Sequence, residues 1–157
     1  MVRILFICTG NICRSPMAEF VMKRLVAEQG LAEEFEIGSA ATSMEEYGNP
    51  VYPPARKKLL SVGIDPRGKT ARQVKASDYQ RYDYLPVMDS YNLRSIRRIL
   101  PRDPEGKIFR LLEATDRPRD IADPWYTGDF DTAYEEILEG CEALLAKILR
   151  GEKIRRA

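Results

Sequence analysis

The amino-acid sequence predicts an α/β fold in which a parallel sheet is covered by helices on both faces. Short apolar runs alternate along the chain with longer segments whose apolar residues recur at helical spacing. Glycine or proline marks several of the boundaries between them. Such alternation favours parallel strands joined by right-handed helical crossovers. In sheets of this kind a site forms beyond the carboxyl ends of the strands.

The predicted strands are short apolar runs bounded by polar or turn-forming residues. They span residues 2–8, 35–40, 82–88 and 107–112. Consecutive apolar residues at 4–7 indicate that the first strand is buried. The third strand contains Pro86, which removes a ladder hydrogen bond if the strand is central. A bulge or an interruption is therefore expected there.

The predicted helices carry an apolar stripe and lie between or after these strands. They span residues 15–29, 53–62, 90–100 and 130–149. Ser15 is the expected N-cap of the first helix, with Pro16 after it, and Gly30 ends that helix. Gly63 is placed to cap the second helix at its C-terminus. Cys141 lies on the apolar stripe of the last helix and is expected in the core.

The loop between the first strand and the first helix carries the chemistry. Its sequence, Cys8 to Ser15, places a glycine, an arginine and a helix N-terminus directly after a strand. Backbone N–H groups and the helix dipole at such a junction favour an anion, and the same field stabilises a cysteine thiolate. Arg14 adds a planar fork of donors suited to two phosphate oxygens. The pattern indicates phosphoryl transfer to the sulfur of Cys8.

Composition restricts the class of protein. A chain of 157 residues, 44% of them hydrophobic, fits a single domain over residues 1–157. With 25 basic and 24 acidic residues, the net charge of +1 gives no general electrostatic case for binding nucleic acid or a membrane. No apolar stretch approaches the roughly 20 residues that span a bilayer, and the N-terminal apolar segment is too short for a signal peptide.

Histidine is absent from the sequence, and cysteine is scarce. The absence of histidine excludes Ser-His and Cys-His nucleophile pairs and most zinc sites. Three cysteines cannot form a complete disulfide framework, and reduced thiols suit a reducing compartment. We therefore expect a cytoplasmic protein that uses neither a metal nor another cofactor.

These motifs resemble those of one family, the low-molecular-weight protein tyrosine phosphatases. The family signature is Cys-x5-Arg-Ser near the N-terminus with Asp-Pro-aromatic-Tyr much later, and it matches Cys8 to Ser15 and Asp123 to Tyr126. Weaker matches follow in order at 39–42, 70–72 and 88–89. The resemblance implies a three-layer, flavodoxin-like fold with a four-stranded parallel sheet in the order 2-1-3-4. It also implies hydrolysis of phosphotyrosine in a protein or peptide. We expect the protein to be a monomer or a weak homodimer.

The resemblance assigns roles to the residues of the loop. Cys8 would be the nucleophile that forms a cysteinyl-phosphate, while Arg14 and the loop amides would hold the phosphate oxygens. Ser15 would donate its hydroxyl to the thiolate or to the departing sulfur. The phosphate-binding residues would be Thr9, Gly10, Asn11, Ile12, Cys13, Arg14 and Ser15.

The loop is expected to be supported by residues outside it. Asn11 adopts left-handed backbone conformations readily, and in the family its side chain joins a network that includes the serine corresponding to Ser39. That network usually includes a histidine, in whose place this chain has Lys69. Cys13 has two interpretations. The resemblance implies a protective disulfide with Cys8, and the alternative is a small filler in the loop.

Protonation of the leaving group requires an acid, and Asp123 is the predicted one. Asp-Pro also occurs at Asp65 and Asp103, where it can simply begin a turn, and Asp120 is the alternative acid. Pro124 restricts Asp123 to extended conformations that would aim its carboxyl group. Three aromatic residues are predicted to form a wall against the substrate ring, with core packing as the alternative: Trp125, Tyr126 and Tyr47.

Four other functions compete with this interpretation. Residues 63–70 match the G-x4-GK[ST] nucleotide-binding pattern, but a predicted helix precedes them where the mechanism needs a strand. Thioredoxin-coupled arsenate reductases resemble the chain, but they need a downstream cysteine pair that is absent. Protein arginine phosphatases share the loop but typically carry threonine in place of Ile12. A phosphate- or phosphopeptide-binding module would not need both a loop cysteine and an aspartate acid.

A cluster of arginines lies on the helix predicted at 90–100 and just after it. Its members are Arg94, Arg97, Arg98 and Arg102. We expect a solvated helix face, with a phosphate- or partner-binding patch as the alternative.

Overall fold

The computed structural model describes residues 1–156 and consists of one sheet between two layers of helices. The strands are β1 (Val2–Cys8), β2 (Phe35–Ala41), β3 (Leu85–Val87) and β4 (Ile108–Arg110). The α-helices are α1 (Arg14–Glu28), α2 (Pro53–Ser61), α3 (Asp78–Arg81), α4 (Ser90–Ile96), α5 (Pro124–Thr127) and α6 (Phe130–Leu149). Short 3-10 helices lie at Ala32–Glu34 and Leu111–Ala114.

All four strands are parallel and lie in the order β2-β1-β3-β4, which confirms the expected flavodoxin-like topology. β1 pairs with β2 along its whole length, from Val2 opposite Phe35 to Cys8 opposite Ala41. Cys8 is the last residue of this central strand. It therefore lies in the middle of the carboxyl edge, between the loops that follow β2 and β3.

β1 is buried on both faces because its side chains alternate between two apolar clusters. Ile4 and Phe6 belong to the cluster under α1 and α6, whereas Leu5 and Ile7 belong to the cluster under α3 and α4. This two-sided burial explains the continuous apolar sequence of the strand. Among residues 1–156, no helix is both long and apolar enough to cross a membrane.

β3 is shorter than the strand predicted at 82–88, and Pro86 is the reason. The Leu85 amide donates to the Lys107 carbonyl oxygen on the β4 side. Because successive backbone groups of a strand point to opposite sides, the nitrogen of Pro86 faces β1 and has no hydrogen to donate. β1 and β3 accordingly meet at Ile7 opposite Val87, with one isolated bridge from Ile4 to Tyr84. The expected interruption is present.

The ends of several elements differ from the prediction. α4 ends at Ile96 rather than near residue 100, because the next three amides donate to carbonyl oxygens three rather than four residues earlier and the helix tightens into a turn before Pro101. The strand predicted at 107–112 covers only Ile108–Arg110 and continues as a 3-10 helix. Two short helices, α3 and α5, were not predicted.

The predicted N-cap of α1 is wrong, whereas two predicted helix ends are confirmed. Cys13 occupies the N-cap position without a capping side-chain bond, and Ser15 lies inside the first turn. The hydroxyl of Ser15 is used elsewhere, as described below. Gly30 and Gly63 follow α1 and α2 with φ of 72° and 82°, the left-handed conformation that ends a helix.

Candidate active site

The loop between β1 and α1 forms the floor of a pocket at the carboxyl edge of the sheet. The residues that line this pocket are Cys8, Thr9, Gly10, Ile12, Cys13, Arg14, Ser43, Glu45, Glu46, Asp123, Trp125 and Tyr126. The predicted nucleophile, the predicted phosphate-binding arginine and the predicted acid therefore surround one pocket. The fold brings Asp123 to Cys8 across most of the sequence.

Cys8 Sγ is approached by two groups of Ser15. Ser15 Oγ lies 3.0 Å from Cys8 Sγ, and the Ser15 amide donates to the same sulfur at 3.4 Å. Ser15 Oγ also accepts a hydrogen bond of 2.8 Å from Asn11 Nδ2. Because that bond uses the oxygen as an acceptor, the hydroxyl hydrogen is available to the sulfur or to the Ala40 carbonyl oxygen, which lies farther away at 3.5 Å. Two donors from the first turn of α1 thus converge on the atom predicted to attack phosphorus.

Asn11 has an unusual backbone conformation within the loop. Its φ of 60° is left-handed, as expected for asparagine at such a position. Its Nδ2 donates to Ser39 Oγ at 2.9 Å as well as to Ser15, and its Oδ1 accepts from the Arg72 amide at 3.2 Å. The side chain is only 1% exposed. The sparsely populated backbone conformation is therefore held by three hydrogen bonds in the protein interior.

Ser39 connects the loop to a buried carboxylate. Ser39 Oγ donates to Glu19 Oε1 at 2.6 Å, and Lys23 Nζ pairs with Glu19 Oε2 at the same distance. Lys69 Nζ donates to the Ser39 carbonyl oxygen at 2.8 Å and lies 3.7 Å from Glu19 Oε1. Burial lowers the pKa of Lys69, and the neighbouring Glu19 charge opposes this effect. Lys69 thus lies directly beneath the loop-support network.

Arg14 is a buried cation beside the sulfur. Its Nη1 donates to Asp89 Oδ2 and to the Ile121 carbonyl oxygen, each at 2.7 Å, and its Nη2 donates to Asp123 Oδ2 at 3.3 Å. Burial disfavours its charge, but the nearby Cys8, Asp123 and Asp89 outweigh burial and raise the pKa of Arg14. The guanidinium is fixed in orientation by Asp89 and Ile121, with its other edge toward Asp123.

Asp123 is held at the start of α5. Its backbone is extended, with φ −76° and ψ 113°, as expected before Pro124. Its Oδ1 accepts from the Trp125 amide at 3.0 Å, which makes Asp123 the N-cap of α5. One carboxylate oxygen is therefore fixed by the cap while the other is directed toward Arg14.

The other candidate acids lie outside the pocket. Asp120 Oδ1 accepts from Arg110 Nη1 at 2.9 Å. Asp103 and Asp65 accept hydrogen bonds from backbone amides of their own loops. Of these four aspartates, only Asp123 lines the pocket.

Trp125 and Tyr126 form one side of the pocket. Trp125 is 50% exposed, with its ring centroid 4.7 Å from that of Tyr52, and Tyr126 is 84% exposed. Aromatic side chains this exposed contribute little to a core and are available to a ligand ring. Tyr47 is also exposed, but it does not line the pocket.

Cys13 lines the same pocket as Cys8, and both are free thiols. Burial, followed by the charge of Cys8, raises the pKa of the Cys13 thiol. A thiol that stays protonated is a poor nucleophile. Cys141 is fully buried in the core, as predicted, and burial raises its pKa as well.

Four residues without a predicted role complete the site: Glu19, Arg72, Asp89 and Asn92. Asn92 Nδ2 donates to Thr9 Oγ1 at 3.1 Å and so ties the loop to α4. Asp89 had a sequence signal, because a carboxylate just after a parallel strand lies at the edge where sites form. Glu19 had one too, as a charged residue on the apolar side of a helix. Arg72 acts through its backbone amide, and no feature of the sequence indicated that role.

Two other kinds of site are not formed. Residues 63–70 follow α2 rather than a strand, and no helix begins at Lys69 or Thr70, so the nucleotide-binding pattern lacks its required setting. Within residues 1–156, no group of three or more His, Cys, Asp or Glu side chains is arranged to hold a metal ion.

Comparison with known sequences gives matches along nearly the whole chain. The family model described as low molecular weight phosphotyrosine protein phosphatase matches residues 3–155. The low molecular weight protein-tyrosine-phosphatase YfkJ of Bacillus subtilis is 37% identical over 156 residues, which cover 98% of this chain and 100% of that protein. The low molecular weight phosphotyrosine protein phosphatase of Gallus gallus is 41% identical over 150 residues, covering 92% and 94%.

Solved structures show the same fold. The crystal structure of YfkJ matches with a TM-score of 0.93 over 98% of both chains, at 37% identity. The crystal structure of a Drosophila arginine phosphatase matches with a TM-score of 0.83 at 31% identity, over 92% of this chain and 96% of that one.

Proposed function

The chain belongs to the family of low molecular weight phosphotyrosine protein phosphatases, and we propose that it hydrolyses phosphotyrosine through a phosphate ester of Cys8. The observation that carries this proposal is the position of Cys8 Sγ. It lies 3.0 Å from Ser15 Oγ, in the pocket that Arg14 and Asp123 also line. A nucleophile, an anion-binding group and an acid around one pocket are the three requirements of phosphoryl transfer to sulfur.

In the first half of the reaction, Cys8 Sγ attacks phosphorus as a thiolate, and the bond from phosphorus to the tyrosine oxygen breaks. Arg14 Nη2 and the amides of the loop hold the phosphate oxygens in the transition state. Arg14 keeps its orientation because Asp89 and Ile121 hold Nη1. Asp123 gives its proton to the departing tyrosine oxygen, so that tyrosine leaves as a neutral phenol.

In the second half, water attacks the phosphorus of the cysteinyl-phosphate and the sulfur–phosphorus bond breaks. Asp123, now a carboxylate, accepts the proton of the attacking water. Ser15 Oγ donates to the departing sulfur, because Asn11 keeps its oxygen as an acceptor. The products are inorganic phosphate and the enzyme in its starting state. Every group required belongs to the chain, so the mechanism needs no cofactor.

Preference for an aryl phosphate is proposed from the sides of the pocket. Trp125 and Tyr126 offer exposed rings that can stack on the tyrosine ring of the substrate. The apolar side chain of Ile12, in the phosphate-binding loop, lines the same pocket. A Drosophila protein with the same fold is named an arginine phosphatase, so the fold alone does not distinguish the two activities. In this chain Ile12 lacks a hydroxyl that could polarise water against a phosphoramidate. Tyr47 would contact only residues of the substrate beyond the ring.

The chemistry also suggests a cellular setting. Cys8 and Cys13 are free thiols in one pocket, an arrangement that persists best in a reducing compartment such as the cytoplasm. We expect a monomer or a weak homodimer. Both thiols line the pocket, so a disulfide between them, formed when an oxidant such as a peroxide reaches Cys8, stays part of the proposal.

A side-by-side assay tests the function. Peptides of one sequence would carry phosphotyrosine, phosphoserine or phosphoarginine, and kcat/KM would be measured for each. We expect phosphotyrosine to be hydrolysed fastest, with inhibition by orthovanadate, which mimics the transition state. Faster hydrolysis of phosphoarginine would contradict the proposal and transfer the assignment to the arginine phosphatases.

A further inference from the structure

A set of arginines on and after α4 has no role in the site described above. The set comprises Arg94, Arg97, Arg98 and Arg102, called here the arginine face. All four are exposed, and none pairs with a carboxylate of residues 1–156. Most other arginines of the chain are paired, including Arg110 and Arg119, which each contact two acids.

The geometry of α4 places three of these arginines on one side. Residues 94, 97 and 98 have helical spacing, and beyond the end of α4 the Arg97 and Arg98 amides donate to the carbonyl oxygens three residues earlier, so the chain continues in a tight turn. Ile96 and Leu100 are buried on the opposite side, under the sheet. The face is therefore turned outward by the packing of α4 rather than by chance side-chain positions.

Nearby acids are already engaged. Asp89 pairs with Arg14, and Asp103 accepts from Arg156 and Tyr79. No acid occurs between residues 90 and 102. Arg94 and Arg98 are a like-charge pair at i and i+4, which costs a few tenths of a kcal/mol in a helix. The face thus presents repelling charges to solvent, an arrangement that an external anion would relieve.

The arginine face begins at the edge of the active site. Asn92, two residues before Arg94, contacts Thr9 of the loop. Arg98 lies six residues after Asn92, which corresponds to about 9 Å along a helix. On the other side of the pocket, after β2, lie Glu45 and Glu46. Acidic side chains therefore line the pocket on the β2 side, whereas the arginine face extends along α4 away from the pocket on the β3 side.

We propose that the arginine face is a docking surface for an acidic segment of the phosphoprotein substrate, several residues away from the phosphotyrosine. The inference rests on the proposed function. An extended peptide advances about 3.3 Å per residue, so acidic residues about three to six positions from the phosphotyrosine reach Arg94 and Arg98. Acidic residues lying on the opposite side of the phosphotyrosine would instead meet Glu45 and Glu46. The docking is therefore directional along the peptide.

A protein segment fits better than a nucleic acid. The arginine face lies in the helix layer of α3 and α4, and the helix layer on the other face of the sheet contains a strongly acidic helix. That layer includes α6, which carries Asp131, Glu135, Glu136, Glu139 and Glu142. A long polyanion that extended beyond the arginine face would meet these repelling charges. A short acidic segment continuous with the phosphotyrosine would not.

The first experiment measures peptide preference. Three phosphotyrosine peptides would carry Glu at positions three to six after the phosphotyrosine, Glu at the same distance before it, or Gln at both. We expect kcat/KM of one Glu peptide to exceed that of the Gln peptide by about tenfold at low salt, since two or three exposed ion pairs contribute modestly. The ratio of the two kcat/KM values should approach one at high salt, because exposed ion pairs are screened. Equal rates for all three peptides would overturn the proposal.

The second experiment compares two double variants that change the net charge of the protein by the same amount. Arg94→Glu/Arg98→Glu should abolish the Glu advantage, with the rate on a small aryl phosphate unchanged. The control is Lys57→Glu/Arg117→Glu, which alters exposed cations elsewhere by the same total charge. We expect the control to retain the Glu advantage. If both variants lose it equally, net charge is responsible and the docking surface is refuted.

A binding measurement separates this proposal from the proposed function. Fluorescence anisotropy would follow the same peptides without phosphate, and a single-stranded oligonucleotide of equal charge. Loss of acidic-peptide binding in Arg94→Glu/Arg98→Glu supports docking even if phosphotyrosine is not hydrolysed. Tighter binding of the oligonucleotide than of the acidic peptide would overturn the assignment to a protein segment.

Discussion

At the scale of the residue, the order of hydrogen-bond donors from Glu19 to Cys8 determines what Ser15 can do. A carboxylate only accepts, so the Ser39 hydroxyl must donate to Glu19 and its oxygen is left to accept from Asn11. Asn11 Nδ2 then donates to Ser15 as well, which leaves the Ser15 hydrogen for the sulfur at 3.0 Å or the Ala40 carbonyl oxygen at 3.5 Å. The steps from Glu19 to Ser15 permit one direction only, and the shorter contact of the Ser15 hydroxyl is with the sulfur. A buried charge on α1 thereby orients a hydroxyl at the nucleophile.

Replacement of Cys8 by serine tests the covalent role. Cys8→Ser should keep phosphate binding, since Arg14 and the loop amides remain. It should lower kcat by roughly 10⁴-fold or more, as removal of a nucleophile does in other enzymes. Steady-state kinetics and calorimetry with inorganic phosphate measure the two effects. Cys141→Ala, in the core, is the matched cysteine control and should keep kcat. Appreciable turnover by Cys8→Ser would refute the cysteinyl-phosphate.

Replacement of Asp123 tests the acid. Asp123→Ala should lower kcat for phosphotyrosine by about 100-fold or more, because a poor leaving group needs the proton. An activated aryl phosphate leaves without protonation and should be affected much less. The ratio of the two losses is the measurement, and Asp120→Ala is the matched control. Equal losses on both substrates would show that Asp123 has another role.

At the scale of the element, one aspartate joins three segments of the fold. Asp103 accepts from Tyr79 Oη at 2.6 Å, from the Lys107 and Ile108 amides at 2.7 and 3.0 Å, and from Arg156 Nη1 at 2.8 Å. It thereby fixes α3, the start of β4 and the end of the chain relative to one another. Its Asp-Pro sequence is the same as that of Asp123, but its function is structural.

The stabilisation from Asp103 should depend on pH. Burial opposes its charge, but the bonds from Tyr79 and from two amides hold the pKa of Asp103 below its ordinary value. A lowered folded-state pKa means that the stabilisation is present above about pH 3.9, the unfolded value, and is lost as the pH falls through the folded value. Asp103→Asn should cost about 2 kcal/mol at pH 7.

Urea unfolding at pH 7, 5 and 3 provides the measurement. The difference between Asp103→Asn and the unaltered protein should be constant from pH 7 to 5 and decrease toward pH 3. Asp65→Asn, at an exposed Asp-Pro, is the control and should have a small effect throughout. A difference that persists unchanged at the lowest pH would mean that the charge of Asp103 is not what stabilises the junction.

At the scale of the whole molecule, the two helix layers share one strand. Because β1 contributes side chains to both apolar clusters, loss of either layer exposes half of its surface. The layers should therefore unfold together rather than as independent units. The active site depends on this unity, since Cys8 ends β1 while α1, α4 and α5 each supply part of the pocket wall or its support.

A core substitution tests this coupling. Leu144→Ala, in the α6 layer, should lower the free energy of unfolding by about 2 to 5 kcal/mol. The far-ultraviolet signal of the whole fold and the near-ultraviolet tyrosine signal should shift to the same new midpoint. Ile96→Ala, in the α4 layer, is the reciprocal change and should also shift both signals together. Separate midpoints in either variant would show that the layers are independent.

The sequence by itself determined the order and type of the main elements and the position of the Cys8-to-Ser15 loop after β1. These features are local, because strand and helix periods and the Cys8-to-Ser15 spacing depend on neighbouring residues. The parallel sheet followed from the alternation of strands and helices, and Asp123 was indicated by the resemblance to the family pattern rather than by a local feature.

Only the tertiary structure decided which of several equivalent residues serve the site. Three Asp-Pro pairs are alike in sequence, yet chain packing brings Asp123 alone to the pocket and makes Asp103 a structural junction. Ser15 left the predicted capping role because the sulfur and Asn11 lie within reach of its hydroxyl. The short helices α3 and α5 escaped prediction since a single turn has too few residues for a periodic signal. Contacts between distant segments have no local pattern, and the fold must form before they exist.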